Sequence, residues 1–369
     1  MRPLIQPGAR LIMCTLLACL TVASVSAQNA PKRKVLVDQD GAGPVGTDTL
    51  SVLALLQSPD VDVLGITITA GDVWVKEGVR NMLRMLELTG YEKVPVAPGG
   101  EQPLVNSREE TQIWERQWGD FSYKGAWNTA RYHAPDVIPD GYPAGEPTIK
   151  AVSTHGAQLI IDTIRRYPNE VTLWVGGPFT TVALALRLDP GIAPLAKELV
   201  VMGAGFNVDK GGNHRINGRR EFNWWWDPEA TRIAMSAPWK KITITPVDIS
   251  VKTTLGDETK QQIARSQSRA AQYVTKFTGR GGGYMWDEIA AVAWLDPSII
   301  TKQQELFVNI DIDHGASYGQ TIFVEPAGEP SPGQPALPRK MASWWHVATV
   351  QWDLDLKRFY DQFAVLMSR

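Results

Sequence analysis

The chain has 369 residues, with 37 lysines and arginines against 39 aspartates and glutamates, which gives a formal net charge of −2. This balance, without long blocks of one charge, argues against nucleic acid or an anionic membrane surface as the partner. The five histidines form no closely spaced pair, which argues against a zinc site. The length allows one large α/β domain or two small ones.

The N-terminus has the pattern of a secretory signal peptide. Arginines precede the apolar run Leu11–Val25, and small residues end at Ala27, so we expect cleavage after Ala27 and a secreted or periplasmic protein. The apolar run is too short for a membrane span. A lipoprotein processed at Cys19 is the alternative, although it truncates the apolar run. Since Cys14 and Cys19 both lie in residues 1–27, the mature chain would have no thiol chemistry.

Strand-like and helix-like stretches alternate along the chain. The predicted strands are Val35–Val37, Val61–Thr69, Val94–Val96, Val171–Val175, Leu199–Met202 and Ile242–Thr245. The predicted helices are Thr49–Gln57, Val75–Thr89, Gly156–Tyr167, Thr180–Arg187 and Pro228–Met235. This alternation predicts a Rossmann-like α/β fold, with a mostly parallel central sheet, helices on both faces and a site at the carboxyl ends of the strands. Residues 28–369 are predicted to form a single domain, with an irregular excursion over the site at about 99–147.

Three aspartates surround the first predicted strand-to-helix junction. Asp38 and Asp40 follow Val35–Val37, and Asp48 stands at the start of the first predicted helix, across a glycine-rich turn. Period-two geometry sends Asp38 and Asp40 to the same side of the strand. Carboxylates gathered in this way repel one another unless a cation lies among them, and a hard cation bound by oxygen is the simplest explanation. The chain is therefore predicted to be an enzyme with its chemistry at this junction.

A dinucleotide-binding fingerprint is the rival interpretation of the same turn. Gly41–Gly46 matches Gly-x-Gly-x-x-Gly after a strand, and Asp72 follows the second strand. The pyrophosphate would then lie in a turn that Asp40 and Asp48 flank, so that anion would face anion. Asp72 also lies further along the chain than this fingerprint expects. Both objections favour the cation site.

Three further motifs accompany the aspartates. They are Gly177-Pro178-Phe179-Thr180, the sequence EFNWWWDPEA from Glu221 to Ala230, and Tyr284-Met285-Trp286-Asp287. Together with DQDG and the Thr47-Asp48 pair, they resemble the nucleoside hydrolases, which cleave the N-glycosidic bond of ribonucleosides with bound calcium. The resemblance extends from Val35 to Asp361. Four separated motifs in the family's order are far more specific than any one of them.

The resemblance implies a set of Ca²⁺ ligands and a catalytic base. Asp40 matches the aspartate that touches the metal and takes the proton from the attacking water. Asp48 matches the bidentate metal carboxylate, and Thr180 matches the residue whose main-chain carbonyl binds the metal. Asp287 matches the distal aspartate that is shared between the metal and the ribose. Asp38 resembles a carboxylate behind these ligands that orients them.

The resemblance also implies how the substrate is held. Glu221 and Asn223 match the pair that grips the ribose hydroxyls. Met202 resembles the family's methionine at a strand end beside the sugar. Asp72 falls where the family places an asparagine or aspartate near the sugar. The predicted partner is therefore a small ribonucleoside, and relatives in this family are commonly dimers or tetramers.

The residue before Asp287 separates branches of the family. The pyrimidine-tolerant branch carries histidine there, and this chain carries Trp286, as in the purine-specific branch, where tryptophans sandwich the base. Stacking on a π-rich face favours a protonated purine leaving group. We expect the second tryptophan to come from the excursion, with Trp114 as the first choice and Trp118 and Trp127 behind it. Trp224-Trp225-Trp226 is expected to pack the helix start against the sheet instead.

Two features depart from the family pattern. Thr47 stands where the family usually has a second aspartate, and seven residues separate Asp40 from Asp48, which is longer than usual. Thr47 could cap the helix but cannot replace a carboxylate on a ribose hydroxyl. The prediction is a calcium-dependent purine ribonucleoside hydrolase. A non-catalytic nucleoside- or sugar-binding protein, or a hydrolase of another N-riboside, remain as alternatives.

Overall fold

The computed structural model describes residues 31–128, 130, 132–207, 219–279, 283–326 and 341–369. The strands are β1 Arg33–Gln39, β2 Val61–Ile68, β3 Val96–Pro98, β4 Val171–Val175, β5 Glu198–Met202, β6 Ile242–Thr245, β7 Ile300–Ile310, β8 Thr321–Val324 and β9 Val347–Leu354. The helices are α1 Thr47–Gln57, α2 Val75–Thr89, α3 Arg108–Trp118, α4 Gly156–Arg166, α5 Thr180–Leu188, α6 Phe222–Trp226, α7 Pro228–Met235, α8 Val247–Ser250, α9 Asp257–Ile263, α10 Arg269–Phe277, α11 Trp286–Leu295 and α12 Leu356–Met367. The predicted signal peptide and lipoprotein site lie outside the described residues.

In the described part of the chain, the strands form one sheet in the order β3-β2-β1-β4-β5-β6-β9-β7-β8. The pairs from β3 through β6 to β9 are parallel, whereas β7 is antiparallel to both β9 and β8. The parallel strands point the same way, so their carboxyl ends meet at one edge of the sheet. From β1 the chain adds β2 and β3 on one side, and then returns to add β4 on the other side of β1. Sheets of this kind usually bind their ligand at such a reversal of strand order.

The side chains of the central strands alternate between two apolar layers. On β1, Val35 and Val37 pack into the layer that contains α1, α2, α11 and α12. Leu36, between them, packs into the opposite layer with α4, α5 and α7. On β4, Trp174 faces the first layer and its neighbours Leu173 and Val175 face the second. Both faces of the sheet are therefore covered, which is why the central strands have continuous apolar runs.

The predicted α/β fold with a mostly parallel sheet is confirmed. The bounds of β4, β6, α2 and α7 agree with the predicted ones, and the other predicted elements differ by one or two residues at one or both ends. The excursion at 99–147 is not wholly irregular, because it contains α3 with Ser107 as its cap: the Ser107 hydroxyl accepts from the Glu110 N–H. None of the described helices combines the length and apolar character that a membrane span needs.

Candidate active site

A cavity of about 440 Å³ opens at the carboxyl edge of the parallel strands. Five strands place a residue in its wall at or just beyond their ends. These residues are Asp40 after β1, Asp72 after β2, Gly176 after β4, Met202 on β5 and Val247 after β6. The remaining lining residues are Ala42, Gly46, Thr47, Asp48, Tyr123, Glu221, Phe222, Asn223, Gly283, Tyr284, Trp286 and Asp287.

Three carboxylates meet at the floor of this cavity. Asp40, Asp48 and Asp72 each place one oxygen within 4.8 Å of the others. The Asp72 N–H donates to Oδ2 of Asp40 at 2.8 Å. This approach requires Gly71, because a Cβ at that position would overlap Oδ2 and Cβ of Asp40. The backbone before Asp72 can therefore pass close enough to bring its carboxylate to the one that follows β1.

Two helices that pack on the same face of the sheet supply the remaining acids. Asp48 lies in the first turn of α1, and its Oδ2 accepts from the Ala42 N–H at 2.5 Å. Asp287 lies in the first turn of α11, and its Oδ2 accepts from Nε2 of Gln39 at 2.8 Å. Helix N-termini favour negative charge, and both carboxylates use that position. The glycine-rich turn thus directs a backbone N–H at the protein's own aspartate, as the cation-site interpretation expects.

Burial makes these carboxylates hard to ionise. It raises the pKa of Asp40 well above the ordinary value, and the charges of Asp48 and Asp72 raise it further. Burial also raises the pKa of Asp72 to about 8 and that of Asp48 to about 6. The pKa of Asp287 is raised well above its ordinary value by burial and then by Asp48. Among the cavity-lining residues that the structure describes, none is lysine, arginine or histidine. The donor set therefore suits a hard divalent cation.

The predicted sugar-binding pair stands beside this group, on the first residues of α6. Oxygens of the Glu221 carboxylate accept from the N–H groups of Asn223, Trp224 and Ala204 at 2.9–3.2 Å. Burial raises the pKa of Glu221 to about 7, and these N–H groups oppose the shift. Nδ2 of Asn223 donates to the Gly176 carbonyl at 2.8 Å. Both side chains line the cavity with Met202, in orientations held by the backbone.

The rim of the cavity is aromatic. Phe222 and Tyr123 meet edge to face with ring centroids 5.0 Å apart, and Tyr284 and Trp286 lie 4.7 Å apart. The Tyr123 hydroxyl hydrogen-bonds to Asp72, so one residue joins the rim to the carboxylate floor. Acidic floor and aromatic rim together describe a site for a ligand with a polar end and a flat apolar end.

Tyr123 comes from the excursion, which is anchored on both sides of it. Phe121 stacks on Trp225 with centroids 4.2 Å apart, and Trp127 stacks on Trp226 at 3.8 Å. The tryptophans of α6 are buried, as the sequence predicted for packing residues. They hold the excursion against the helix that follows Glu221.

The tryptophans proposed from the excursion do not line the cavity. The ring of Trp114 packs against Phe121 at 5.0 Å, and its N–H donates to the Gly315 carbonyl at 3.0 Å. Trp118 is half exposed on α3, and Trp127 is buried in the stack on Trp226. The structure therefore places Tyr123, and not Trp114, on the cavity wall.

Two other predicted residues lie behind the wall. Asp38, on β1, is buried on the side away from α1, where the Thr67 hydroxyl donates to it. Thr180 begins α5, and its hydroxyl donates to Oδ2 of Asp227 at 2.7 Å. The side chain of Thr180 is thus engaged outside the cavity, and the proposed role of its main-chain carbonyl stays a prediction.

Three residues in or beside the site were not predicted from the sequence. Gln39, between two aspartates, faces α1 and α11 because alternation turns it away from Asp38. Glu288 follows Asp287 and is buried, and every later residue of α11 is apolar. A second acid directly after Asp287, at the start of an otherwise apolar helix, was a usable signal. Tyr123 offered none, since aromatic residues are frequent throughout the excursion.

The family model for inosine-uridine preferring nucleoside hydrolases matches residues 35–361. The chain belongs to this family, and it is an enzyme of the class that acts on N-glycosyl bonds of ribonucleosides. Members of the family generally bind a metal ion, in agreement with the acidic group on the cavity floor. The predicted family is therefore confirmed.

Relatives with different descriptions match over most of the chain. The pyrimidine-specific ribonucleoside hydrolase RihB of Escherichia coli O157:H7 is 28% identical over 306 residues, covering 80% of this chain and 88% of that protein. An uncharacterized protein of Schizosaccharomyces pombe, C800.11, is 28% identical over 315 residues, covering 80% of this chain and 77% of the other.

Solved structures show the same fold. A plant nucleoside hydrolase, PpNRh1, superposes with a TM-score of 0.69 at 22% identity, covering 92% of this chain and 99% of its own. A purine-preferring ribonucleoside hydrolase from Gardnerella vaginalis gives a TM-score of 0.68 at 23% identity, covering 91% and 98%.

The raised carboxyl pKa values predict how a cation changes stability with pH. In the metal-free fold, Asp48 and Asp72 keep protons up to pKa values of about 6 and about 8, whereas the unfolded chain releases them near 3.8. The folded state therefore binds more protons between these limits, and its stability falls as pH rises through that window. A divalent cation would bind the ionised form, so its stabilising effect should grow over the same range.

We expect added Ca²⁺ to raise the Tm of chelator-treated protein by several degrees more at pH 8 than at pH 5. Differential scanning calorimetry at both pH values, with and without the ion, measures this. An equal shift at both pH values would contradict a site built from these buried acids.

Proposed function

We propose that this enzyme hydrolyses the N-glycosidic bond of purine ribonucleosides with the help of Ca²⁺. The observation that carries the proposal is one cavity lined by three buried aspartates, a fourth that is half-buried, and a set of aromatic rings. A ribose with adjacent hydroxyls fits the polar end, and a flat base fits the aromatic end.

The ion would be held by Asp40 and Asp48, with Asp287 and the Thr180 carbonyl as the further ligands that the family resemblance implies. Asp72 is a candidate for the same shell, because its oxygen lies within 4.8 Å of those of Asp40 and Asp48. When bound, Ca²⁺ supplies positive charge that balances the carboxylates, chelates the ribose diol and acidifies water at the site.

Asp40 is the residue that we assign as general base. The N–H of Asp72 fixes its Oδ2, and the close approach of Gly71 and Gly177 leaves the carboxylate little freedom to turn. The side chain of Asp40 lines the cavity, where it can take a proton from attacking water. Loss of the base leaves an oxocarbenium-like ribosyl centre, which the surrounding carboxylates stabilise electrostatically.

Preference for purines is supported by the rim. Trp286, Tyr284, Phe222 and Tyr123 are aromatic, and no histidine is among the described residues that line the cavity. A ring face stabilises a base that becomes cationic as it accepts a proton. The proposal assigns Trp286 and Tyr123 to the base, with Tyr123 in the role first expected of Trp114. RihB is described as pyrimidine-specific, so the base preference needs a direct measurement.

A nucleoside panel tests the reaction and its base preference. We expect wild-type protein to release ribose from inosine, adenosine and guanosine faster than from uridine and cytidine, and a chelator to abolish release. Asp40→Asn should lower kcat at least about 100-fold, because it removes the proton acceptor. Asp62→Asn, on the exposed part of β2, is the matched control.

The panel also separates the alternatives. Binding of nucleosides by wild type without release of ribose would mean a binding protein. Inactivity toward all five nucleosides, with turnover of another N-riboside, would move the substrate class and retain the chemistry.

Trp286→Ala tests the assignment of the base-binding face. We expect kcat for inosine to fall about 10-fold or more while that for 4-nitrophenyl riboside, whose leaving group needs no proton, changes little. Trp118→Ala, on the outer side of α3, should leave both rates unchanged. Equal losses with the two substrates in Trp286→Ala would show that this residue acts on the sugar or on folding.

We also propose that the protein acts outside the cytoplasm, on the support of the signal-like sequence at residues 1–27. N-terminal sequencing of protein purified from its native host should begin at Gln28. A mature N-terminus at a lipid-modified Cys19 would contradict this and favour the lipoprotein alternative.

A further inference from the structure

A short hydrogen-bonded connection joins the first turns of α1 and α11. The Asp287 N–H donates to the Thr47 hydroxyl oxygen at 2.7 Å, and the same hydroxyl donates to Oε2 of Glu288 at 2.7 Å. Thr47 immediately precedes Asp48, and Glu288 immediately follows Asp287. The connection therefore ties together the backbone neighbours of two carboxylates that face one cavity.

Glu288 is costly to keep where it is. It is only 2% exposed, and the rest of α11 after it is apolar and largely buried. A buried carboxylate is destabilising unless hydrogen bonds compensate for lost water. Its side-chain partner is Thr47, a residue of the cavity wall. An apolar residue would serve the packing of α11 better, which points to a role at the site.

The start of α1 is otherwise held by bonds within its own turn, from the Gly46 N–H to the Thr49 hydroxyl at 3.3 Å and from the Ala42 N–H to Asp48 at 2.5 Å. Its N-cap residue is Gly46, which has no side chain to hold the first turn. The opposite carboxylate, on α11, is held from β1 by Gln39. Thr47 and Glu288 thus add a side-chain link between the first turns of α1 and α11, which carry Asp48 and Asp287.

We propose that Thr47 and Glu288 form a clamp that positions Asp48 and Asp287 for a shared cation. The inference rests on the proposed calcium site and assigns positioning residues that the family resemblance does not supply. An ion with oxygen ligands at about 2.3–2.6 Å requires its carboxylates at set distances. Partners that orient metal ligands from behind typically change metal affinity or activity about 10- to 100-fold when they are removed. Thr47 would therefore position metal ligands, whereas the aspartate that the family usually has at this position contacts a ribose hydroxyl.

Calcium affinity is the direct measure of the clamp. Isothermal titration with Ca²⁺ should show that Thr47→Val and Glu288→Leu each weaken binding about 10-fold or more. Thr47→Ser keeps the hydroxyl and should stay within about threefold of wild type. Glu288→Gln keeps an oxygen that can accept from Thr47 and should do the same. The double variant Thr47→Val/Glu288→Leu should be no worse than Thr47→Val alone, because that single variant already removes both hydrogen bonds of the connection.

Each contrary result has its own meaning. If wild-type protein binds no Ca²⁺, the proposed cation site fails and the clamp fails with it. If wild type binds and Thr47→Val binds equally well, the clamp alone is overturned. If Glu288→Gln loses as much affinity as Glu288→Leu, the effect comes from charge and positioning is refuted. Should Glu288→Leu not fold, Thr47→Val against Thr47→Ser decides, with the chelated protein's Tm as the measure of folding.

Discussion

Mutual repulsion among carboxylates that are shielded from water is the constraint on which the rest of this molecule depends. At a separation of 4.8 Å, two such charges repel each other by about 3.5 kcal/mol at an effective dielectric constant near 20, and by more at shorter separations. The same cavity is lined by Asp40, Asp48, Asp72 and Asp287. The folded protein is therefore stable only when some of these carboxylates carry protons or when a cation lies between them. The sheet edge, two helix N-termini and several directed N–H groups hold this arrangement in place.

Much of the fold was predictable, because the parallel strands are buried on both faces. Their apolar runs are continuous and the intervening helices are amphipathic or wholly apolar, so most bounds could be placed closely. Asp40 was predictable for the same reason, since a charge at the end of an apolar strand has few structural uses, whereas Asp287 was identified only through the family resemblance. The strands β7, β8 and β9 were not predicted; the first half of β7 is polar and exposed and resembles a surface segment.

The cavity wall was harder to predict than the floor. Which aromatic residue of the excursion reaches the cavity depends on how that segment lies across α6, and no local periodicity encodes this. Trp114 and Tyr123 are nine residues apart, and only the stacking of Phe121 and Trp127 on α6 decides between them. The bond between Thr47 and Glu288 spans 241 positions and is likewise a product of helix packing alone.

The two aromatic stacks that flank Tyr123 hold the backbone of the cavity rim independently of the Tyr123 side chain. Because Phe121 and Trp127 each lean on α6, the side chain between them can be exchanged without loosening the backbone that carries it. Asp40, Asp48 and Asp287 belong to the sheet and to other helices, whereas Asp72 would lose its hydrogen bond from Tyr123 unless the new side chain also carries a hydroxyl. The base that the enzyme accepts can thus change by substitution at a single position of the rim, while Asp40, Asp48 and Asp287 keep their places.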